Sequence, residues 1–154
     1  MNKIITLILL FVVWGLFAKD YDLKEYKKEA EKFLGTKSVE VKVSGEYRYA
    51  EVKTENQTRY FLMTGDFAKL KGYKGITNSA LILDEKLNVK KAKILESEDT
   101  RSFVRKINRK GFMEQFGKGK KIELVTGATI TSKNIVKSIL LTKRKFGKLI
   151  GLSE

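Results

Sequence analysis

Cysteine and histidine are both missing from this chain of 154 residues. Without cysteine, no disulfide, thiolate metal site or iron–sulfur cluster can form, so an apolar core must hold the fold together. Without histidine, the chain lacks the commonest general base at neutral pH and every histidine-based triad. The sequence therefore argues against a self-sufficient hydrolase, and any redox chemistry must come from a bound cofactor.

The composition is that of an ordinary globular protein, with 42% hydrophobic and 32% charged residues. The length suits one domain better than two. A chain of this size buries roughly two-thirds of the surface that its unfolded form exposes. We expect a single core that is large enough to order a cofactor pocket.

The first residues have the pattern of an export signal. Lys3 precedes an apolar stretch over residues 4–17, and Ala18 is followed by charged residues. As a helix this stretch extends about 21 Å, which is short for a hydrocarbon core of about 30 Å. We predict a signal peptide over residues 1–18, with an uncleaved signal anchor or a buried first element of a cytosolic protein as alternatives. Export places the protein in the periplasm, outside the cell, or at the outer face of the cytoplasmic membrane.

The formal net charge is +14, from 32 Lys and Arg against 18 Asp and Glu. Such a surface favours anionic partners, either an anionic membrane surface or an acidic face of another protein. Nucleic acid is an alternative, but the export pattern and the lack of a recognised binding motif argue against it.

Helical and alternating patterns organise the first half of the chain. Apolar residues recur at helical spacing over residues 21–34, with Asp20 or Asp22 as N-cap and Gly35 just past the end. Alternating apolar and polar residues then predict three antiparallel strands, which lie at residues 39–43, 47–49 and 58–63.

The second half begins with a glycine-punctuated loop over residues 71–75. Two strands are predicted at residues 76–83 and 89–95, a helix at 97–110, a short aromatic segment at 111–116 and a final helix from about residue 126. The final helix has its apolar positions spaced for one buried stripe, at Ile135, Val136, Ile139 and Leu140. We therefore predict an α/β fold of the α+β type, one domain with a small, mainly antiparallel sheet packed by helices. Its two parts cover residues 19–70 and 71–154.

A turn of small residues before the final helix is the most informative segment. Residues 126–132, with the sequence TGATITS, deliver four hydroxyl groups to a helix N-terminus. Free amide groups and the helix dipole favour a phosphate there, and small residues allow close backbone approach. The alternative interpretation is ordinary helix capping by Thr and Ser.

This segment resembles the flavin-attachment motif of the FMN-binding domain family. That family includes the FMN-carrying subunits of Rnf-type complexes and of the sodium-translocating NADH:quinone reductase. The resemblance implies that a dedicated flavin transferase joins FMN through its phosphate to Thr129. It further implies an electron carrier that serves a membrane or envelope redox partner and needs no catalytic side chain of its own.

The resemblance extends over residues 71–141 and includes the Gly-Tyr-x-Gly sequence at residues 72–75. Residues 98–100 resemble a segment that in relatives has the sequence Glu-Thr-Pro, although Asp99 replaces Glu and Arg101 stands where Pro is usual. Glu123 lies three positions before the motif, where relatives tend to carry Asp. The part before residue 71 shows no matching motif.

The resemblance implies two groups of cofactor-binding residues besides the attachment site Thr129. The first group forms a phosphate-holding turn and the second lies beside the flavin ring; they are Thr126, Gly127, Ala128, Thr131 and Ser132, and then Asp99 and Thr100. Three aromatic residues, Tyr73, Phe112 and Phe116, either stack on the ring or belong to the core.

Two other functions remain open from the sequence. One is a cofactor-free, basic binding module of the cell envelope. The other is a small exported flavin-dependent reductase that acts on a soluble acceptor.

Overall fold

The structure is a computed structural model that describes residues 22–152, so the predicted signal segment over residues 1–18 lies outside it. The described chain forms four α-helices and five strands. In chain order they are α1 (Leu23–Leu34), β1 (Glu40–Ser44), β2 (Tyr47–Lys53), β3 (Thr58–Met63), α2 (Thr64–Phe67), β4 (Thr77–Asp84), β5 (Val89–Ser97), α3 (Arg101–Arg109) and α4 (Thr129–Leu149). A 3₁₀ segment, Met113–Gly117, follows α3. None of these helices is long and apolar enough to cross a membrane.

The five strands form one antiparallel sheet in which each strand pairs with the next one along the chain. The order is β1-β2-β3-β4-β5. Phe61 of β3 faces Ile82 of β4, and Met63 faces Ala80. The predicted antiparallel sheet and single domain are thus confirmed.

The strands carry apolar residues on both faces, so helices pack on both sides of the sheet. Phe61 and Ile82 point toward α1, and together with Tyr26 and Phe33 they form one core. Leu62, Leu81 and Leu83 belong to the other core, which includes buried residues of α3 and α4. The domain therefore has three layers, with α1 on one face of the sheet and α3 and α4 on the other.

Helix α1 has the ends that its sequence predicts. Oδ1 of Asp22 accepts a hydrogen bond of 2.7 Å from the backbone N–H of Glu25, which caps the helix start. Gly35 ends it with φ of 71°, a left-handed conformation that glycine adopts without strain. Of the two predicted caps, Asp22 is the one used.

Three details of the prediction are wrong. Helix α3 begins at Arg101, not at residue 97, because Ser97 pairs with Thr77 and extends β5. Leu140 is 55% exposed and does not join the buried stripe of α4, because it lies about 100° around the helix from Ile139, on the side away from the core. Tyr73, for which a core position was one alternative, is 52% exposed. Phe112 is fully buried, as the core alternative predicts.

Candidate cofactor site at the start of helix α4

The turn before α4 presents its backbone to solvent. Thr126 and Gly127 are exposed, while Val125 and Ala128 on either side are buried. The N–H of Ala128 donates a hydrogen bond of 2.9 Å to the carbonyl of Val125 and closes the turn. Gly127 has φ of 77°, which favours glycine at this position. Helix α4 starts at Thr129, immediately after this turn.

No side chain caps the start of α4. The N-cap residue is Ala128, which has no side-chain acceptor, and the first turn contains no acidic residue. The first N–H groups of a helix have no intrahelical partner, and the dipole makes this end positive. The alternative interpretation, in which Thr or Ser caps this helix, is therefore wrong, and the N–H groups of the first turn remain available to an anion.

Two hydroxyl groups of the motif, those of Thr129 and Ser132, donate to backbone carbonyls instead. Ser132 Oγ donates to the carbonyl of Ala128 at 2.9 Å and accepts from the N–H of Val125 at 3.2 Å. Thr129 Oγ1 makes one long contact of 3.4 Å with the carbonyl of Val125, and the residue is exposed. Ser132 thus orders the turn, whereas Thr129 lies exposed at the surface of the domain.

A buried carboxylate joins this helix start to two other segments. Asp99 is 4% exposed, and its Oδ2 accepts a hydrogen bond of 2.7 Å from Thr131 Oγ1. It also accepts from the backbone N–H groups of Tyr73 at 3.1 Å, Lys74 at 2.9 Å and Thr100 at 2.8 Å. Asp99 therefore fixes the glycine loop, the start of α3 and the start of α4 relative to one another.

The same contacts set the charge of Asp99. Burial by itself raises the pKa of a carboxyl group, but the hydrogen bonds from Thr131, Thr100, Lys74 and Tyr73 outweigh it and lower the pKa of Asp99 below its ordinary value. The group is ionised at neutral pH. A buried charge with four donors organises the surrounding backbone and leaves little capacity to accept from a ligand.

The Gly-Tyr-x-Gly loop contacts Asp99 because it contains glycine at both ends. A β-carbon at Gly75 would lie 2.5 Å from Cβ of Glu98 and 2.6 Å from its carbonyl oxygen. One at Gly72 would overlap the carboxylate of Asp99. Both glycines allow the loop backbone to lie directly against the segment between β5 and α3.

Thr100, the second predicted ring neighbour, holds a buried polar atom without a partner. Its Oγ1 has no hydrogen bond within the described structure, and the residue does not cap α3 although it precedes that helix. An unpaired buried hydroxyl costs free energy unless something else satisfies it. It is therefore a candidate contact for a bound group.

Lys106 is a site residue that the sequence analysis did not single out. It is half-buried on α3, and its Nζ lies 2.5 Å from the place where a β-carbon of Gly127 would be. No salt bridge of Lys106 is found between residues 22 and 152. The ammonium group therefore adds positive charge directly over the turn. The only signal in the sequence was its place in a basic helix, which equally suits a solvated face.

Exposed apolar side chains surround this charged turn. Leu124 and Ile130, on the two sides of the motif, are 42% and 58% exposed. Tyr73 lies beside Phe103, with ring centroids 5.5 Å apart. Of the three predicted aromatic residues, Tyr73 is the exposed one near this turn. Phe112 and Phe116 instead pack against each other near the 3₁₀ segment, with ring centroids 5.5 Å apart. A ligand with a phosphate and an apolar ring suits this combination.

The turn before α4 thus combines an uncapped helix start, a lysine and exposed apolar side chains, an arrangement that suits a phosphate group. Residues 72–140 match the family model of the FMN-binding domain. This match supports a flavin-binding role for this part of the chain, with FMN as its cofactor. Neither a curated protein nor a solved structure matches the chain.

The residues present fit FMN. Lys106 and the free first-turn N–H groups of α4 suit the phosphate dianion, and Gly127 leaves room beside them. The unpaired hydroxyl of Thr100 adds a buried donor and acceptor close to Asp99.

Proposed function

We propose that the protein is an exported electron-transfer flavoprotein that carries FMN through a phosphoester bond to Thr129. One observation supports this most directly. Thr129 is the exposed first residue of a helix that no side chain caps, in a turn overhung by the ammonium group of Lys106. A phosphate bonded to its hydroxyl oxygen would meet the helix dipole and a cation together.

Attachment requires an activated flavin donor. A flavin transferase would bring a flavin nucleotide whose phosphoanhydride bond breaks as the new bond to Thr129 Oγ1 forms. The nucleoside monophosphate on the other side of that bond leaves and takes up the hydroxyl proton, and the chain gains the mass of FMN less one water. The exposure of Thr129 makes its hydroxyl accessible to such an enzyme on the folded domain.

Bound FMN supplies the electron-carrying chemistry, since its isoalloxazine ring accepts and releases electrons. The chain contributes binding and orientation. Lys106 and the start of α4 would hold the phosphate, while Tyr73 and Ile130 would offer apolar surface beside it. Asp99 positions these segments without entering the chemistry.

The proposed partner is a membrane-bound or envelope redox protein. Covalent attachment makes the basic surface unnecessary for retaining the flavin, so the charge would serve docking. Raising the ionic strength should then slow reduction by the native partner and leave the bound flavin unchanged. A rate that does not depend on salt would remove this role from the charge.

Export belongs to the same proposal and has its own test. The signal pattern predicts a mature chain that begins near Lys19. N-terminal sequencing of protein recovered from the envelope should find that start. Retention of Met1 in a membrane fraction would indicate an anchor, and Met1 in a cytosolic fraction would contradict export.

The attachment site is tested by producing the chain together with a flavin transferase. Intact mass should show one added FMN on the wild type and on Thr126→Ala, and none on Thr129→Ala. Thr129→Ser is the matched control, because it keeps a hydroxyl at the same position and should retain some covalent flavin. In a denaturing gel only covalently held flavin remains fluorescent with the protein.

The outcomes separate the alternatives. Covalent FMN on Thr129→Ala would overturn the attachment site. An unmodified, colourless wild type from its own host would favour the cofactor-free binding module. Flavin-dependent turnover of a soluble acceptor without any membrane component would favour the small reductase.

A further inference from the structure

The net charge is concentrated in one part of the molecule. Residues 1–99 carry 18 Lys and Arg against 15 Asp and Glu, whereas residues 100–154 carry 14 against three. The second part therefore holds +11 of the total charge of +14. It supplies α3 and α4, which lie on one face of the sheet. The opposite face is covered by α1, in which four lysines alternate with three glutamates.

Helix α4 has the most uniform charge in this basic part. Its 21 residues include six Lys and Arg and no Asp or Glu. At 3.6 residues per turn, six of its exposed side chains fall within an arc of about 80° on the outer side. We call this surface the α4 strip; it consists of Ile130, Lys133, Lys137, Leu140, Arg144 and Lys148.

The α4 strip combines four cations with two well-exposed aliphatic side chains. Ile130 is 58% exposed and Leu140 is 55% exposed. The helix is about 30 Å long, so the strip is a long, straight surface. Lysine side chains around an aliphatic group can lie along apolar material while their ammonium groups stay with anions and water.

We propose that the α4 strip docks on an anionic phospholipid surface. Four to eight Lys and Arg on one amphipathic helix is the pattern that binds acidic lipid headgroups, and Ile130 and Leu140 would enter the boundary between headgroups and acyl chains. Ile130 directly follows Thr129. Docking through the strip therefore brings the start of α4 to the membrane surface.

A lipid surface fits better than an acidic protein face because the strip contains no acidic residue along its length. Protein interfaces usually fix their register with charges of both signs and deplete lysine at their centre. A row of like charges around aliphatic side chains instead matches a surface whose charge is spread evenly. That docking would bring a flavin on Thr129 to the membrane rests on the proposed function, but the docking of the α4 strip on the lipid does not.

The direct test uses the full chain without flavin and a fluorescent probe at one introduced cysteine. The natural sequence contains no cysteine, so each label has a single position. Leu140→Cys places an environment-sensitive dye in the strip, and Val43→Cys places it on β1 at the far edge of the sheet. The two positions are matched, since both side chains are 55% exposed.

Vesicles of phosphatidylcholine alone are compared with vesicles in which about one-third of the lipid is phosphatidylglycerol. The dye at position 140 should brighten and shift to the blue on the anionic vesicles, and salt should reverse the change. The dye at position 43 should not respond. Any contribution of residues 1–18 is common to both variants and cannot produce a difference between them.

Charge removal gives the second measurement. Lys133→Gln with Lys137→Gln should reduce the affinity for anionic vesicles several-fold. The matched control is Lys27→Gln with Lys28→Gln on the exposed side of α1, which removes the same charge from the opposite face of the sheet. This control should change the affinity for anionic vesicles little.

Equal losses from the two pairs would mean that only net charge acts and would overturn the proposal. A silent probe at position 140 would also overturn it. The proposal would also be overturned if the variant with Lys133→Gln and Lys137→Gln bound vesicles normally but bound a purified redox protein less well. That result would assign the α4 strip to a protein contact. None of these results changes what the intact-mass measurement on Thr129→Ala would show, so lipid docking and flavin attachment can be refuted independently.

Discussion

Thr131 Oγ1 donates a hydrogen bond of 2.7 Å to Asp99 Oδ2, and both residues are buried although 32 positions separate them. This bond connects the second position after Thr129 to the segment that precedes α3. It makes the geometry of the turn before α4 depend on a carboxylate that forms no hydrogen bond with Thr129 in the described structure.

Thr131→Val should destabilise the fold by about 1–3 kcal/mol, because it removes a donor from a buried charged acceptor while nearly preserving volume. Thr142→Val is the matched control. Thr142 is also fully buried on α4, but its hydroxyl has no hydrogen-bond partner in the described structure, so its removal should be neutral or stabilising. Urea unfolding of both variants measures the difference, and a larger loss at Thr142 would contradict the role of the Asp99 bond.

Asp99→Asn should destabilise the fold by about 1–3 kcal/mol at neutral pH, because an amide group would face donors that now meet a carboxylate. The pKa of Asp99 is lowered in the folded state, so its contribution is fully present above the ordinary aspartate pKa of about 3.9. That contribution is lost as the pH falls through the folded-state pKa. The difference in unfolding free energy between wild type and Asp99→Asn should therefore shrink as the pH is lowered toward about 3. A constant difference over this range would show that the charge of Asp99 does not stabilise the fold.

Lys106→Gln should slow covalent flavin incorporation several-fold, because it removes the cation over Gly127 that faces the incoming phosphate. Lys110→Gln serves as the control, since it removes the same charge just beyond the end of α3, where the residue is exposed. The measurement is the time course of the intact mass in the presence of the transferase. Equal effects of the two substitutions would indicate a dependence on overall charge only.

The sequence was sufficient to locate the strands and the turn before α4. Alternation of apolar residues is a local property, and the buried runs of β3 and β4 are continuous enough to be recognised. The turn was found because glycine and small hydroxyl residues are concentrated there. In each case neighbouring residues carry the information.

The position of Lys106 over Gly127 could not be predicted, since it depends on how α3 is rotated against α4. A lysine in a basic helix has the same pattern whether it faces solvent or a glycine of another segment. The start of α3 was placed too early for a related reason. Ser97 has no strong preference, and its bond to Thr77 across the sheet decides that it belongs to β5.

The family match begins at residue 72, so it includes only the last two strands of the sheet. An isolated two-stranded hairpin is marginally stable at best in water. Leu62 and Phe67, which lie before the match, complete the core beneath α4, and Asn134 of α4 donates a hydrogen bond of 3.0 Å to the carbonyl of Leu70. The stretch of sequence that defines the family is consequently smaller than the unit that folds. A fragment beginning at residue 72 should be unfolded by circular dichroism and should resist flavin attachment even though it contains every residue of the motif. In this protein the first half of the chain, which the family model does not match, supports the cofactor site from below. The sequence of this first half can vary only as far as it still supplies three strands to the sheet and a helix to cover it.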